Sequence, residues 1–191
     1  MPTATRRAAL AAILLLVVAT GILWAMGRPP ICTCGAIRLW GQVGSEQSQM
    51  LADWYSPSHF IHGLIFYALL WRFAGHFPGK AWQPVERRFI AALLVETAWE
   101  IVENTPLVID RYREATMALG YSGDSILNSI SDIAMMGLGF LAARRLPVWI
   151  SVALAIAFEL LTLAVIRDNL TLNVWMLIVP TDAIREWQAG A

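Results

Sequence analysis

Five apolar stretches constrain the fold of this chain more than any other feature of its sequence. Each has about 20 residues, the length of helix that crosses the hydrocarbon core of a bilayer at 1.5 Å per residue. The sequence therefore predicts an all-α integral membrane protein with about five transmembrane helices in a single transmembrane domain, residues 1–191. The predicted spans are about 8–27, 56–76, 89–109, 124–143 and 147–166.

The composition agrees with a membrane protein. Hydrophobic residues make up 58% of the chain and charged residues only 15%, whereas about 25% of the residues of a soluble domain are charged. The formal net charge is zero and no basic block occurs, so the lipid bilayer is the expected partner and nucleic acid is not. The first apolar run, in "TRRAALAAILLLVVATGILWAMG", is too long for a signal-peptide core and is interpreted as an uncleaved first helix.

A sixth apolar run is too short to cross a bilayer. It reads "LTLNVWMLIVP" at 170–180, which predicts a short C-terminal helix that lies in the interface or re-enters the membrane. Thr181 is placed to cap a further short surface helix over "DAIREWQ".

The distribution of basic residues predicts the orientation, because cytoplasmic loops carry an excess of Lys and Arg. A cytoplasmic N-terminus and a periplasmic C-terminus, in a bacterial inner membrane, place three Arg-Arg pairs on the cytoplasmic side. The basic residues on that side are Arg6, Arg7, Arg72, Lys80, Arg87, Arg88, Arg144 and Arg145.

Ionisable residues occur inside two of the predicted helices with helical spacing. His59 and His62, in "SHFIHG", are at i, i+3 near the outer end of the second span. Glu96, Glu100 and Glu103, in "ETAWEIVEN", are at i, i+4, i+7 in the third span, which runs outward. Each spacing places its residues on one helix face. Ionisable groups inside a membrane are costly, so each is a candidate functional residue.

A third polar stripe begins the fourth span. Asp124, Asn128 and Asp132 are at i, i+4, i+8, and Asp124 is predicted at the rim. Pro106 is predicted to end or kink the third helix near Asn104. The topology therefore predicts one polar layer in the outer half of the bilayer. Its members are His59, His62, Glu100, Glu103, Asn128 and Asp132.

Two histidines with several carboxylates form a ligand set typical of zinc, iron or manganese. The first hypothesis is therefore a metal-dependent enzyme that acts on a lipid or lipid-linked substrate. The predicted metal ligands are His59, His62, Glu100, Glu103, Asp124 and Asp132. The predicted catalytic residues are Glu100, Glu103 and Asp132, with Asn128 in an orienting role.

The same residues are open to two other interpretations. They form a structural network in a non-enzymatic membrane subunit or assembly factor that binds a membrane protein partner, or they relay protons. Glu159, nearly alone in the cytoplasmic half, is either a relay member or the partner of a helix-bridging hydrogen bond. Cys32 and Cys34, in "CTCG", lie in the outer loop, where a local disulfide, redox activity, metal binding and a bond to a partner all remain open.

The motifs "CTCG", "SHFIHG", "WEIVEN", "GYSGDSILNSISD" and "RDNLTLN" resemble those of a family of uncharacterised bacterial multi-pass inner-membrane proteins. The resemblance covers nearly the whole chain and implies a plasma-membrane location without an assigned activity. A more distant likeness, through the order of the His, Glu, Asp and Asn residues, is to VanZ-like membrane proteins. The loop lengths and the "CTCG" loop depart from that second group.

Overall fold

The computed structural model describes residues 3–44, 46–76, 84–116 and 121–190. All regular elements in these ranges are helices, so the prediction of an all-α chain is confirmed. The α-helices are α1 Thr3–Ala25, α2 Ser56–Phe73, α3 Val85–Glu103, α4 Pro106–Ala115, α5 Ile126–Arg145, α6 Val148–Ile166, α7 Leu170–Ile178 and α8 Asp182–Ala189. A 3₁₀ turn at Ala74–His76 continues α2.

Among the described residues, three helices are long and apolar enough to cross a membrane: α1, α5 and α6, with 23, 20 and 19 residues. Helices α2 and α3 have 18 and 19 residues but are not among these candidate spans. The number of five spans therefore stays a prediction. Lys80, which contributes to the predicted orientation, lies outside the described residues.

The helix of the predicted span 89–109 ends near Asn104, as predicted from Pro106. Helix α3 ends at Glu103, Thr105 adopts an extended conformation with ψ of 151°, and α4 begins at Pro106. Proline lacks a backbone N–H and disfavours helical geometry in the residue before it, which explains the break. The span predicted from residue 124 also begins later, at Ile126, because the Ser125 side chain caps α5 by accepting a hydrogen bond from the Asn128 amide at 3.1 Å.

Helix α5 lies at the centre of the bundle and contacts α1, α2, α3 and α6. Its Ile133, Met136 and Phe140 are fully buried and pack with Ala92 and Leu93 of α3. The start of α2, the end of α3 and the start of α5 lie together at one end of the bundle, the site end.

The loop between α1 and α2 closes the site end. The amides of Ser125, Ile126 and Leu127 donate to the carbonyls of Ser48, Pro29 and Pro30 at 3.0, 2.8 and 3.1 Å. These bonds satisfy N–H groups that the first turn of α5 cannot satisfy by itself. In the same loop Cys32 and Cys34 form a disulfide, which selects the local bond among the alternatives left open by the sequence.

The C-terminal part forms the two short helices that the sequence predicts. Asn169 caps α7 by accepting from the Leu172 amide at 2.8 Å. The prediction that the Thr181 side chain caps α8 is wrong, because its hydroxyl oxygen accepts from the Trp175 indole at 3.1 Å and the hydroxyl donates to the Val179 carbonyl.

Glu159 of α6 makes a helix-bridging hydrogen bond, one of the two roles that the sequence left open, and anchors the start of α7. Its carboxylate accepts from the amides of Leu170 and Thr171 at 2.9 and 3.1 Å. Replacing Glu159 with glutamine is expected to lower the free energy of unfolding by about 1 kcal/mol, since a charged acceptor at a helix N-terminus is lost. Thermal unfolding in detergent measures this; an unchanged midpoint would mean that the cap contributes nothing.

Candidate functional site

The two histidines of α2 share one carboxylate of α3. His59 Nδ1 lies 2.7 Å from Glu96 Oε1, and His62 Nδ1 lies 3.1 Å from both Glu96 oxygens. Glu96 is fully buried. Because the two helices are antiparallel, the turn of α3 before Glu100 meets the second turn of α2. This arrangement engages both Nδ1 atoms and leaves both Nε2 atoms available, as in carboxylate–histidine–metal sites.

Glu100 has an unusual environment one turn further along α3. Its side chain is fully buried, and neither carboxylate oxygen has a hydrogen-bond partner among the described residues. His59 Nδ1 lies 3.4 Å from Glu100 Oε1, but it is closer to Glu96. A buried carboxylate without hydrogen bonds is costly unless it is neutralised by a proton or paired with a cation.

Asp132 of α5 faces the same histidine. Ser56 donates to Asp132 Oδ1 at 3.2 Å, and Asp132 Oδ2 lies 3.8 Å from His59 Nε2. Two ligand atoms that share one ion at about 2.1 Å are at most roughly 4.2 Å apart. The Asp132 and His59 atoms are therefore spaced as a metal pair, without a direct hydrogen bond between them.

Asp124 is held by a separate network at the entrance to α5. It accepts from Tyr121 Oη and from Asn104 Nδ2, both at 2.9 Å, while its amide donates to Asn104 Oδ1 at 2.7 Å. Asp124 is only 5% exposed, so it is buried and not at the rim as the sequence suggested. The break after α3 is what turns the Asn104 side chain towards this loop.

Three overlapping sets of side chains have ligand atoms within 4.8 Å of one another. The first joins two histidines with Glu96, the second joins His59 with carboxylates of α3 and α5, and the third is made of carboxylates alone. The sets are His59, His62 and Glu96; His59, Glu100 and Asp132; and Glu100, Glu103 and Asp124. All six predicted ligands occur in these sets. Five of them are in the second and third sets, and His62 is in the first.

A cavity of about 600 Å³ opens onto these residues. Its polar lining includes both histidines, Asp132, Asp124 and Glu103. Its other walls combine apolar residues with the ends of α7 and α8. They include Val43, Trp99, Ile166, Leu170 and Val174. The cavity is large enough for a small molecule or a lipid head group.

Asn128 lines the cavity but is engaged elsewhere. Its Nδ2 donates to the Met50 carbonyl at 2.9 Å, which ties α5 to the outer loop. Its orienting role stays a prediction.

Sequence reasoning left several residues out of the site. Glu96 belonged to the recognised stripe, and antiparallel packing of α2 on α3 would have paired it with the histidines. Tyr55, which donates to Asp168 at 2.8 Å, and Gln188, which donates to the same carboxylate at 3.1 Å, come from loops and from α8. No spacing in the sequence signals their proximity.

Burial shifts the acid–base properties of the residues around the cavity mouth. It raises the pKa of Asp124 to about 6, although the hydrogen bonds from Tyr121 and Asn104 oppose the shift. Burial also raises the pKa of Asp168, and it raises that of Tyr55 together with the neighbouring Asp168 carboxylate. The tyrosines are therefore hydrogen-bond donors at neutral pH.

Comparison with known proteins identifies relatives along almost the whole chain. Residues 23–190 match the family model described as "Protein of unknown function (DUF2585)". A UPF0314 protein of Sphingopyxis alaskensis is 57% identical over 185 residues, covering 95% of this chain and 94% of the relative. A UPF0314 protein of Paracoccus denitrificans is 54% identical over 190 residues, covering 97% and 95%. No solved structure shows significant similarity to this chain.

These matches agree with the resemblance to an uncharacterised bacterial family, whereas the likeness to VanZ-like proteins stays a prediction. With the family model spanning the cluster and the cavity, the chain belongs to the DUF2585 family.

Proposed function

We propose that the protein is a metal-dependent enzyme that acts on a lipid or lipid-linked substrate at the periplasmic face of the inner membrane. The observation that carries the proposal is Glu100, a fully buried carboxylate beside His59 and Asp132 whose two oxygens lack hydrogen-bond partners among the described residues. A divalent cation would give this carboxylate a partner and offset the charge of the neighbouring carboxylates.

The donor set indicates which ions fit. Imidazole nitrogen and carboxylate oxygen together suit zinc, iron and manganese. Glu96 orients both imidazoles through their Nδ1 atoms, and Ser56 orients Asp132. Such supporting hydrogen bonds fix the direction of the ligands before an ion arrives.

The bound ion would supply either an activated water or a clamp on a substrate oxygen. Glu103 lines the cavity at the end of α3, which places a carboxylate beside a substrate as a candidate general base. The apolar wall formed by Trp99, Ile166 and Val174 suits an acyl or prenyl chain. A polar head group would then face the cluster.

The membrane placement supports the same substrate class. With the cytoplasmic N-terminus predicted by the basic residues, the site end faces the periplasm. Exposed apolar side chains occur on the loop and on α7, both of which contribute to the cavity lining, with Val43 61% exposed and Ile178 71% exposed. Such surfaces suit contact with the outer leaflet.

A non-enzymatic membrane subunit is the second candidate, and one observation favours it. The Asn104, Asp124 and Ser129 side chains are joined to one another, with Asn104 Nδ2 3.2 Å from Ser129 Oγ. The polar groups in this part of the layer satisfy one another's hydrogen bonds, as a structural network requires. The two candidate functions differ at Glu100, because a buried carboxylate that makes no hydrogen bond to the described residues would not stabilise such a network.

A complementation experiment tests the enzyme. Cells that lack the gene would be supplied with wild type, Glu100→Gln or the control Glu159→Gln, and their membrane lipids would be compared by mass spectrometry. We expect wild type and the control to restore one lipid species that Glu100→Gln does not. Equal restoration by Glu100→Gln at equal protein levels would overturn the enzyme and favour the subunit.

Metal binding should depend on pH through Asp124. The pKa of Asp124 is raised to about 6 in the folded protein. The protonated carboxyl group therefore stabilises the metal-free fold fully at pH values below the ordinary pKa of an aspartic acid. This stabilisation is lost as the pH rises through about 6. A cation at Asp124 must displace this proton, so affinity for zinc should fall by up to about tenfold per pH unit below 6 from this group. Calorimetric titration at several pH values should give a shallower dependence for Asp124→Asn; an identical slope would exclude Asp124 from binding.

A further inference from the structure

We propose that the cluster binds two divalent cations, with the Glu100 carboxylate as the bridge between them. This inference rests on the proposed metal site and specifies its nuclearity. Of the three ligand sets that the described side chains form, the second and the third share a single member. One set contains His59 and Asp132, the other contains Glu103 and Asp124, and Glu100 belongs to both.

The state of Glu100 fits a bridge better than a ligand to one ion. A carboxylate that binds a single ion through one oxygen leaves the other oxygen to accept a hydrogen bond, and neither Glu100 oxygen has such a partner among the described residues. In two-metal sites the ions are about 3.5–4 Å apart, a separation that one carboxylate spans with its two oxygens. Both oxygens of Glu100 then have a role.

Each half of the site has ligand atoms that remain available. In the first half His59 Nε2 and Asp132 Oδ2 face each other at 3.8 Å, since Glu96 and Ser56 engage the opposite edges of these groups. In the second half, Tyr121 and Asn104 each use one lone pair of an Asp124 oxygen. A carboxylate has about four lone-pair positions, so Asp124 retains acceptors for a cation.

The balance of charge also favours two ions. The two cation sets and the orienting carboxylate together bring five acidic side chains into one buried region: Glu96, Glu100, Glu103, Asp124 and Asp132. Within the described residues their ion pairs are with His59 and His62. With both imidazoles neutral, as metal ligation requires, one divalent cation offsets two of the five negative charges and leaves three, whereas two cations offset four and leave one.

Manganese stoichiometry and magnetism test the proposal. The full chain, purified in detergent and stripped with a chelator, would be loaded with Mn²⁺, freed of excess metal and analysed by elemental analysis and electron paramagnetic resonance. We expect about two Mn²⁺ per chain with the signal of a spin-coupled pair. The variants Asp124→Asn and Asp132→Asn should each retain about one ion with an uncoupled signal.

The carboxylate Asp168 provides the control, because it lines the same cavity and belongs to neither set. Asp168→Asn should keep both ions and the coupling. One uncoupled Mn²⁺ per wild-type chain would overturn the second ion while leaving the proposed metal enzyme intact. Two uncoupled ions would overturn the Glu100 bridge, and no bound metal would overturn both proposals.

Discussion

Replacing Glu100 with glutamine is expected to stabilise the metal-free protein and to abolish its stabilisation by zinc or manganese. The carboxylate is fully buried and has no hydrogen bond to any residue that the structure describes, so a neutral amide of the same shape should be less costly by about 1–3 kcal/mol. In the wild type, metal at about 1,000 times its dissociation constant should add roughly 4 kcal/mol. For a chain of this size that corresponds to a midpoint shift of about 10 °C.

Thermal unfolding in detergent, with a chelator and with added metal, measures both effects. Glu159→Gln is the matched control, because the same substitution falls on a carboxylate that caps α7 outside the cluster. It should lower the midpoint equally with and without metal. The metal interpretation fails if Glu100→Gln keeps the full metal-dependent shift.

Replacing Gly63 with alanine should destabilise the bundle by more than about 3 kcal/mol. A Cβ atom at Gly63 would overlap the backbone of α5 at Met136, Gly139 and Phe140. A Cβ at Gly139 would likewise overlap the Phe60 carbonyl of α2. The two glycines thus allow α2 and α5 to approach each other, as small residues do at membrane helix interfaces, and this approach brings His59 towards Asp132.

Gly137 offers a control on the same helix, since an added Cβ would meet the Phe89 ring at an ordinary 3.6 Å. Gly137→Ala should leave the unfolding midpoint unchanged or raise it, because alanine favours the helix. Chemical unfolding of the three proteins in mixed micelles compares them. Equal stability of Gly63→Ala and Gly137→Ala would show that α2 and α5 do not pack this closely.

The convergence of the polar side chains could be predicted because it depends on helical periodicity alone. His59 on α2, Glu100 on α3 and Asp132 on α5 follow stripes that any helix of that sequence presents. Alternating chain direction then places the stripes at one end, and the structure brings all three within 4.8 Å of one another. Local sequence and topology were sufficient for this part of the site.

The rest depends on contacts that the sequence does not encode locally. Asp168 and Gln188 reach the cavity through the positions of a loop and a short helix, and their hydrogen bond joins residues 20 apart. The contact of Glu96 with His62 depends on the register between the antiparallel helices α2 and α3, which the spacing within either helix does not determine. Loop conformations and the register of helix pairs were the information that the sequence lacked.

The hydrogen bonds between α5 and the first loop also set the order in which the site is assembled. His59 and Glu96 are synthesised before α5, so they can pair early. The carbonyls of Pro29 and Met50 acquire their partners only when Ile126 and Asn128 follow, with Met50 and Asn128 78 residues apart. A nascent chain that has not yet inserted α5 therefore contains only part of the polar cluster, because Asp132 is still missing from it. With the proposed metal site, metal capture would be a late event in biogenesis, in the compartment that the loop occupies.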